Sequence, residues 1–330
     1  MTGRDADLDQ FLEVLTTLLS RHLVLGEPLS GPERVVALER ALTEADVLGL
    51  AVETFEMDGA RRWLADVVRT TAHFSPSLAL VLAARYTAHR VTAPVLGESA
   101  GKARATTGVL AHLDVHDPAS VGAVRATIPG LFAPEVTLLL DAGGAGGLIV
   151  EGAAAAAEPG PERTGLADAH LCTVRIVGDP TRTLDPVAAS AAVDDLTLLT
   201  GAAALGVAEA ALATSAAYAA ERRQFGSALL SFAGMRAMLA EMQLRVSTVA
   251  ALLDRALDTG TTEGCLEVAA TAGRAAVDVA VDAIQVYGGY GYIDEYPVAN
   301  LLRDALSLRA RTPRRSSVSR LAAERFGPVG

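Results

Sequence analysis

Glycine and proline are spread so unevenly along these 330 residues that they divide the chain into three parts before any motif is considered. Between Thr106 and Leu184 they recur every few positions, from Gly108, Pro118, Gly122 and Pro129 through Gly143, Gly144, Gly146 and Gly147 to Pro159, Pro161 and Gly165. A helix interior tolerates neither residue well, glycine for its entropy and proline for its missing donor and its ring clash. Long helices are therefore excluded from this segment. The short apolar or β-branched runs left between the breaks are Val121 to Ile128, Glu135 to Asp141, Gly147 to Glu151 and Leu171 to Val177, and they read as strands of a small antiparallel sheet. Ala153 to Ala157 reads as a low-complexity run beside a loop.

Helical spacing governs both flanks. Leu8, Phe11, Leu12, Leu15, Leu18 and Leu19 make one apolar stripe opposite Asp7, Asp9, Glu13 and Arg21. Gly26 and Pro28 close that helix, and a second pattern runs from Pro32 to Gly49. Two more follow, from Met57 to about Phe74 and from Ser75 to Leu96, with Ser75 as the N-cap ahead of Pro76. Periodicity returns at Ala188 and holds to the end, with breaks at Phe225-Gly226, Asp258 to Gly264 and Gly288 to Gly291. The expected chain is mostly α: an N-terminal helical domain over residues 1–105, a small reduced β domain over 106–187 and a C-terminal helical bundle over 188–330.

Composition narrows the function classes. With 51% hydrophobic residues the chain can bury a large core, and a formal charge of -11 leaves no broad basic surface for nucleic acid. The apolar residues are scattered rather than gathered into a bilayer-spanning run, and the first residues lack a charged segment leading into an apolar one, so a cytoplasmic protein without a membrane partner is expected. Cys172 and Cys265 have no metal-ligand spacing and read as small buried hydrophobes. His112 and His116 are four residues apart beside Asp114 and Asp117, but the local glycine and proline content argues against the helix that would make them ligands; no metal is expected.

Two strings in the last third carry chemistry. Arg222-Arg223-Gln224-Phe225-Gly226 closes a long alanine-rich segment, and Arg222 is either a phosphate-gripping fork or half of a solvated pair favoured by a helix C-terminus. Gln285 precedes Gly288 and Gly289, glycines that let backbone approach a bulky anion and that equally well close a helix. Asp294-Glu295-Tyr296-Pro297-Val298 and Arg303-Asp304-Ala305 follow.

In that order these segments resemble the acyl-CoA dehydrogenases, flavin enzymes that desaturate acyl thioesters between their α and β carbons. The resemblance implies an acyl-CoA dehydrogenase-like fold whose C-terminal part is a four-helix bundle that also builds the oligomer. It implies FAD, with Arg222 and Phe225 at its pyrophosphate and Gln285, Gly288 and Gly289 at the adenosine end of a neighbouring subunit's cofactor. Arg303-Asp304 is implied to be structural.

Such enzymes need a carboxylate to take the α proton while the flavin accepts a hydride from the β carbon. The usual position for that base falls at Arg311 or Thr312 and the family's second position at Leu196, so neither holds a glutamate. Asp194 and Asp195 are near, but one or two positions swing a side chain by roughly 100 to 200 degrees around a helix. A pair favoured by the helix N-terminal dipole is the plainer account of them. The family's Thr-Glu-Pro and Gly-Ser-Asp strings are missing after Lys102, and Ala233 stands where a further glutamine is usual. Contacts to a subunit's own flavin ring are thus mostly lost, and contacts lent to a neighbour's flavin mostly kept. The resemblance therefore favours a subunit that completes the active site of a fuller homologous chain acting on an acyl thioester. A self-sufficient flavoenzyme with a non-standard base or oxygenase chemistry, and a flavin-free scaffold or non-redox enzyme on the same fold, are the alternatives.

Overall fold

A computed structural model of the chain describes residues 6–29, 31–96, 103–110, 113, 125–130, 133–142, 144–152, 155–159, 163–169, 172–176, 182–311, 322 and 325–327. Thr312, His112, His116 and Lys102 lie outside the described residues.

The N-terminal part is helical: α1 (Ala6–His22), α2 (Pro32–Glu44), a single turn α3 (Leu50–Glu53), α4 (Ala60–Ala72) and α5 (Pro76–Leu96). Helices α2 and α5 begin on the residues that should punctuate them, whereas the pattern expected to reach Gly49 breaks at Glu44 and resumes as the short α3. Pro32 opens α2, and the Ser75 hydroxyl accepts the Leu78 N–H at 3.2 Å to cap α5. The buried face of α1 is Leu8, Leu15 and Leu19, a subset of the apolar stripe.

The β part is more elaborate than a small antiparallel sheet. Strands β1 (Ala105–Leu110), β3 (Val136–Asp141), β4 (Gly147–Glu151) and β7 (Arg182–Leu184) form one sheet in the order β1-β3-β4-β7. In it β1 runs parallel to β3, whereas the β3–β4 and β4–β7 pairs are antiparallel. A second, antiparallel sheet has the order β2-β6-β5, from β2 (Arg125–Ile128), β5 (Ala155–Pro159) and β6 (Cys172–Ile176). The expectation of a purely antiparallel sheet is corrected by β1, whose Thr106-Thr107-Gly108 reads weakly as a strand. Ala155–Pro159 is corrected too, because it pairs with β6 along its whole length; a partner's backbone outweighs alanine's poor strand propensity.

Side-chain alternation explains how the layers stack. Val136, Leu138 and Leu140 of β3 turn toward Ala88 of α5 and Ala189, Ala192 and Val193 of the next helix. Leu139, Leu148 and Val150 turn the other way, onto Ile128, Val174 and Ile176 of the three-stranded sheet. The four-stranded sheet is therefore buried on both faces, which fits the unbroken Leu138-Leu139-Leu140 run.

The C-terminal part is a bundle of α6 (Pro186–Glu221), α7 (Ala233–Thr259), α8 (Thr262–Tyr287) and α9 (Pro297–Arg311). Asp185 caps α6 by accepting the Val187 and Ala188 N–H groups at 2.9 and 3.0 Å, so the helix starts two residues before the return of periodicity at Ala188. Helix α6 is the axis of the molecule. Its Asp194 meets Thr262, Gly201 meets Val268, and Tyr218 stacks on Tyr287, so α6 and α8 run parallel in near-constant register. Gly206 lies against the backbone of Arg69 and within 2.7 Å of the Ala72 methyl for any added Cβ, which fixes how closely α4 approaches. Glu209 locks that approach: it accepts from Arg69 Nε at 2.9 Å and a second time from the same guanidinium, with His73 Nε2 2.9 Å away.

Among the described helices α6 alone is long and apolar enough to cross a bilayer, with a window of mean hydropathy 1.7, yet 78% of that window is buried inside the protein. Its composition is that of a helix surrounded by α4, α5, α8 and the sheet.

Gly206→Ala puts a methyl against α4 backbone, so it should lower unfolding free energy by about 1–3 kcal/mol. Chemical denaturation is the check, with Gly234→Ala, where an added Cβ meets open space, as the control.

Candidate functional site

Helix α6 brings its turns together as faces. Val193, Leu196, Thr197 and Thr200, at spacings of three and four, form one wall of a cavity of about 270 Å3. Strand β1 adds Thr107 and Val109, helix α5 adds Leu80 and Ala84, and the end of α9 adds Ala310 and Arg311. Both described positions at which the sequence suggested a proton-abstracting base, Leu196 and Arg311, therefore converge on this one cavity. Among the described residues none that lines it is a carboxylate. The Thr107 hydroxyl is already committed to the Ala84 carbonyl at 2.8 Å. Burial pushes the Arg311 guanidinium down to about 10, and nearby Arg163 adds to the effect. It remains a cation at neutral pH and cannot accept a proton.

Asp194 and Asp195 lie off that wall. Asp195 is bridged by Arg61 Nε at 2.7 Å and Arg90 Nε at 3.0 Å, and Asp194 accepts from the Thr262 hydroxyl at 2.5 Å. They sit in the third turn of α6 rather than at its start, so the helix-dipole account of the pair is corrected: these carboxylates tie α4, α5 and α8 to α6.

The other functional end is the C-terminus of α6. Arg222 is its C-cap, its N–H donating to the Tyr218 carbonyl at 2.8 Å. Its guanidinium lies 4.9 Å from the centre of the Tyr290 ring, a cation–π arrangement that holds the side chain partly extended toward solvent. Tyr218, Tyr287, Tyr290 and Tyr296 form the platform beneath, with Tyr218 and Tyr287 stacked at 3.9 Å. Sequence reasoning missed this platform, although Tyr218 and Arg222 carry the four-residue spacing that brings side chains together on a helix.

After Arg222 the chain makes a two-residue hairpin, β8 (Arg223–Gln224) to β9 (Ser227–Ala228). Its turn residues, Phe225 at φ 52° and Gly226 at φ 83°, have the paired left-handed conformation of tight hairpins. Glycine suits that conformation and phenylalanine does not. Phe225 nevertheless occupies it with 95% of its surface exposed. Gln285 is exposed on the last turn of α8, and Gly288 caps that helix at φ 59°, ψ −131°, a conformation open to glycine alone. An added Cβ at Gly288 or Gly289 would meet nothing within 4 Å, so space beside both is open. Gly291 differs, since a Cβ there would stand 2.8 Å from the Ile284 carbonyl.

Arg222, Phe225, Gln285, Gly288 and Gly289 thus gather at one end of the bundle. From Leu196 to Arg222 the helix advances 26 residues, roughly 39 Å at about 1.5 Å per residue. The cavity and the arginine end cannot converge on one reacting centre within a single chain.

Arg303-Asp304 acts structurally. Arg303 pairs with Asp294 at 3.2 Å and donates to Asn300, whose amide holds the Gly26 carbonyl at 2.8 Å. Asp304 accepts the Leu166 N–H at 2.6 Å and so fixes a residue with φ 54° in the segment before β6. Among the described residues no group of three His, Cys, Asp or Glu side chains could hold a metal. Both cysteines are free, Cys265 buried and Cys172 partly so.

With the geometry established, similarity identifies the class. Residues 188–311 match the model of the acyl-CoA dehydrogenase C-terminal domain. An acyl-CoA dehydrogenase of Bacillus subtilis strain 168 is 43% identical over 109 residues, which span 32% of this chain and 29% of that relative's length. The butyryl-CoA dehydrogenase structure from Megasphaera elsdenii superposes with a TM-score of 0.78 at 18% identity, covering 98% of this chain and 99% of that one. A steroid ACAD, the Tcur3481-Tcur3483 G363A variant, superposes at 0.76 with 20% identity and 96% coverage of each chain. Over residues 188–311 the chain carries an acyl-CoA dehydrogenase C-terminal domain, and over its whole length it has the fold of acyl-CoA dehydrogenase structures.

Burial, with Asp168 nearby, raises the Asp304 carboxyl to about 7, against an ordinary value near 4. A carboxyl that binds its proton more tightly when folded contributes stability that is complete below the ordinary pKa and is lost as pH rises through 7. Melting temperature should therefore fall between pH 5 and pH 8, and Asp304→Asn should flatten that slope.

Proposed function

We propose that this chain is the base-lacking subunit of a mixed, cytoplasmic acyl-CoA dehydrogenase-type enzyme that desaturates an acyl thioester, with FAD shared at the interface with a fuller homologous subunit. The observation that carries the reading is the cavity in which Leu196 and Arg311 meet without a carboxylate. Among the described residues a lone copy has no group there to take an α proton.

The arginine end fits a dinucleotide tail. Arg222 supplies a permanent charge and a planar fork for pyrophosphate oxygens, already oriented by Tyr290. Gln285 offers an amide to the adenosine, and the open backbone at Gly288 and Gly289 admits it closely. Phe225 contributes a rigid apolar surface that is almost fully exposed. When bound, FAD supplies the hydride acceptor. The partner supplies the carboxylate, which the roughly 39 Å between Leu196 and Arg222 would otherwise leave out of reach. A similar structure, the Tcur3481-Tcur3483 steroid ACAD, is designated by a pair of names, in keeping with a two-component assembly.

Purification alone and together with a homologous chain that retains the glutamate is the test. Flavin absorbance near 450 nm and thioester-dependent turnover should appear only in the joint preparation. Arg222→Ala should reduce bound flavin there at least about tenfold without dissociating the subunits. Stoichiometric flavin and turnover in the lone chain would instead make it a self-sufficient flavoenzyme, and a joint complex without flavin would make it a scaffold.

A further inference from the structure

Among its described lining residues the cavity has no carboxylate, and it has one cation, Arg311. Arg311 sits at the last residue of α9, where the carbonyl end of the helix tolerates positive charge. That dipole does not occupy the guanidinium's donors. Among the described residues Arg311 has no ion pair and no hydrogen-bond acceptor, whereas Arg61, Arg62, Arg69, Arg90, Arg104, Arg245 and Arg303 each have a carboxylate. A partly buried guanidinium left unpaired is costly, and it is best compensated by an oxyanion in bidentate geometry.

The rest of the wall is graded. Thr197 and Thr200 bring hydroxyls to the α6 side, while Leu80, Val193 and Leu196 supply an apolar lining. A cavity of about 270 Å3 is larger than the roughly 150 Å3 void that accepts benzene, so it has room for a ring or short chain as well as a head group.

We infer that this cavity is a binding site for a small organic acid, its carboxylate held in the Arg311 fork and its short apolar body against Leu80, Val193 and Leu196. The site sits at the opposite end of α6 from the arginine face and is independent of the shared-flavin reading. It makes the chain a sensor or retainer of a carboxylate rather than a second turnover centre, since no lining group can act as a base.

Arg163 lies close enough to act on the same guanidinium, so a second cation strengthens the local positive field. The chain as a whole carries a formal charge of -11, which opposes non-specific anion binding elsewhere.

Calorimetry and thermal melting of the full chain, alone and in the joint complex, with benzoate and butyrate against benzamide and butyramide, test the inference. The acids should bind and raise the melting temperature, the amides should bind at least about tenfold more weakly, and Arg311→Gln should remove the difference. Leu196→Phe, which fills the apolar half and leaves Arg311 in place, should weaken benzoate more than sulfate. The inference is overturned if acid and amide behave alike, if Arg311→Gln binds benzoate unchanged, if sulfate matches benzoate, or if no acid binds at millimolar concentration in either preparation.

Discussion

The close approach of α4 and α8 to α6 is the constraint on which the rest of the molecule depends. Gly201 and Gly206 have no Cβ because a neighbouring helix already occupies that space, and the alanines between and around them keep the groove shallow. Small residues alone would let helices slide, since alanine surfaces offer little shape to lock. Polar clamps set the register instead: Asp195 with Arg61 and Arg90, Glu209 with Arg69 and His73, and Asp194 with Thr262. For Glu209 burial alone would raise its pKa, but the hydrogen bonds from His73 and Arg69 outweigh it and keep the carboxylate ionised. Close packing thus brings the helices together, and charge pairs choose which turn meets which.

Because α6 is held so firmly, its two ends can serve different purposes. The first turns after the sheet carry Val193, Leu196, Thr197 and Thr200 into the cavity, and the last residue turns Arg222 outward over Tyr290. One rigid rod transmits position accurately over many turns, which loops do not. Phe225 gains from the same rigidity: a bulky residue in left-handed backbone at a hairpin tip costs energy, and it is held there by the ladder at Arg223–Ala228 and by contact with Phe232 at 6.4 Å. The strain and the exposure coincide at a residue whose own chain gives it no core to join.

The sequence was legible wherever one periodicity ruled. The stripe on α1, the Ser75 cap and the breaks at Phe225-Gly226 and Gly288 correspond to real ends, because caps and glycine conformations are local properties. The family itself was legible in a few strings at the bundle end. What was not legible depended on pairing across distance. Thr106-Thr107-Gly108 becomes a strand only beside β3, and Ala155–Pro159 only beside β6. Likewise Asp194 and Asp195 look like a helix-start pair until Arg61, Arg90 and Thr262 arrive from three other helices. The cavity was half legible: Leu196 and Arg311 were singled out separately, but 114 residues of intervening chain hid that they share a wall with Thr200.

A cavity without a base needs only neutral side chains on its wall, so the presence of an arginine there carries information of its own. A leucine or alanine at position 311 would have left an apolar hollow, dry and indifferent to charge. Arginine instead places a positive charge on the wall, beside Arg163 and, among the described residues, without a paired acid. Burial lowers its pKa only to about 10, so the charge persists throughout the physiological range. Such a group is tolerated because the carbonyl end of α9 faces it, and it is satisfied only when an oxyanion enters. An arginine at this position can neither abstract a proton nor leave the cavity indifferent to charge, and the cavity keeps its shape because α6 keeps its place.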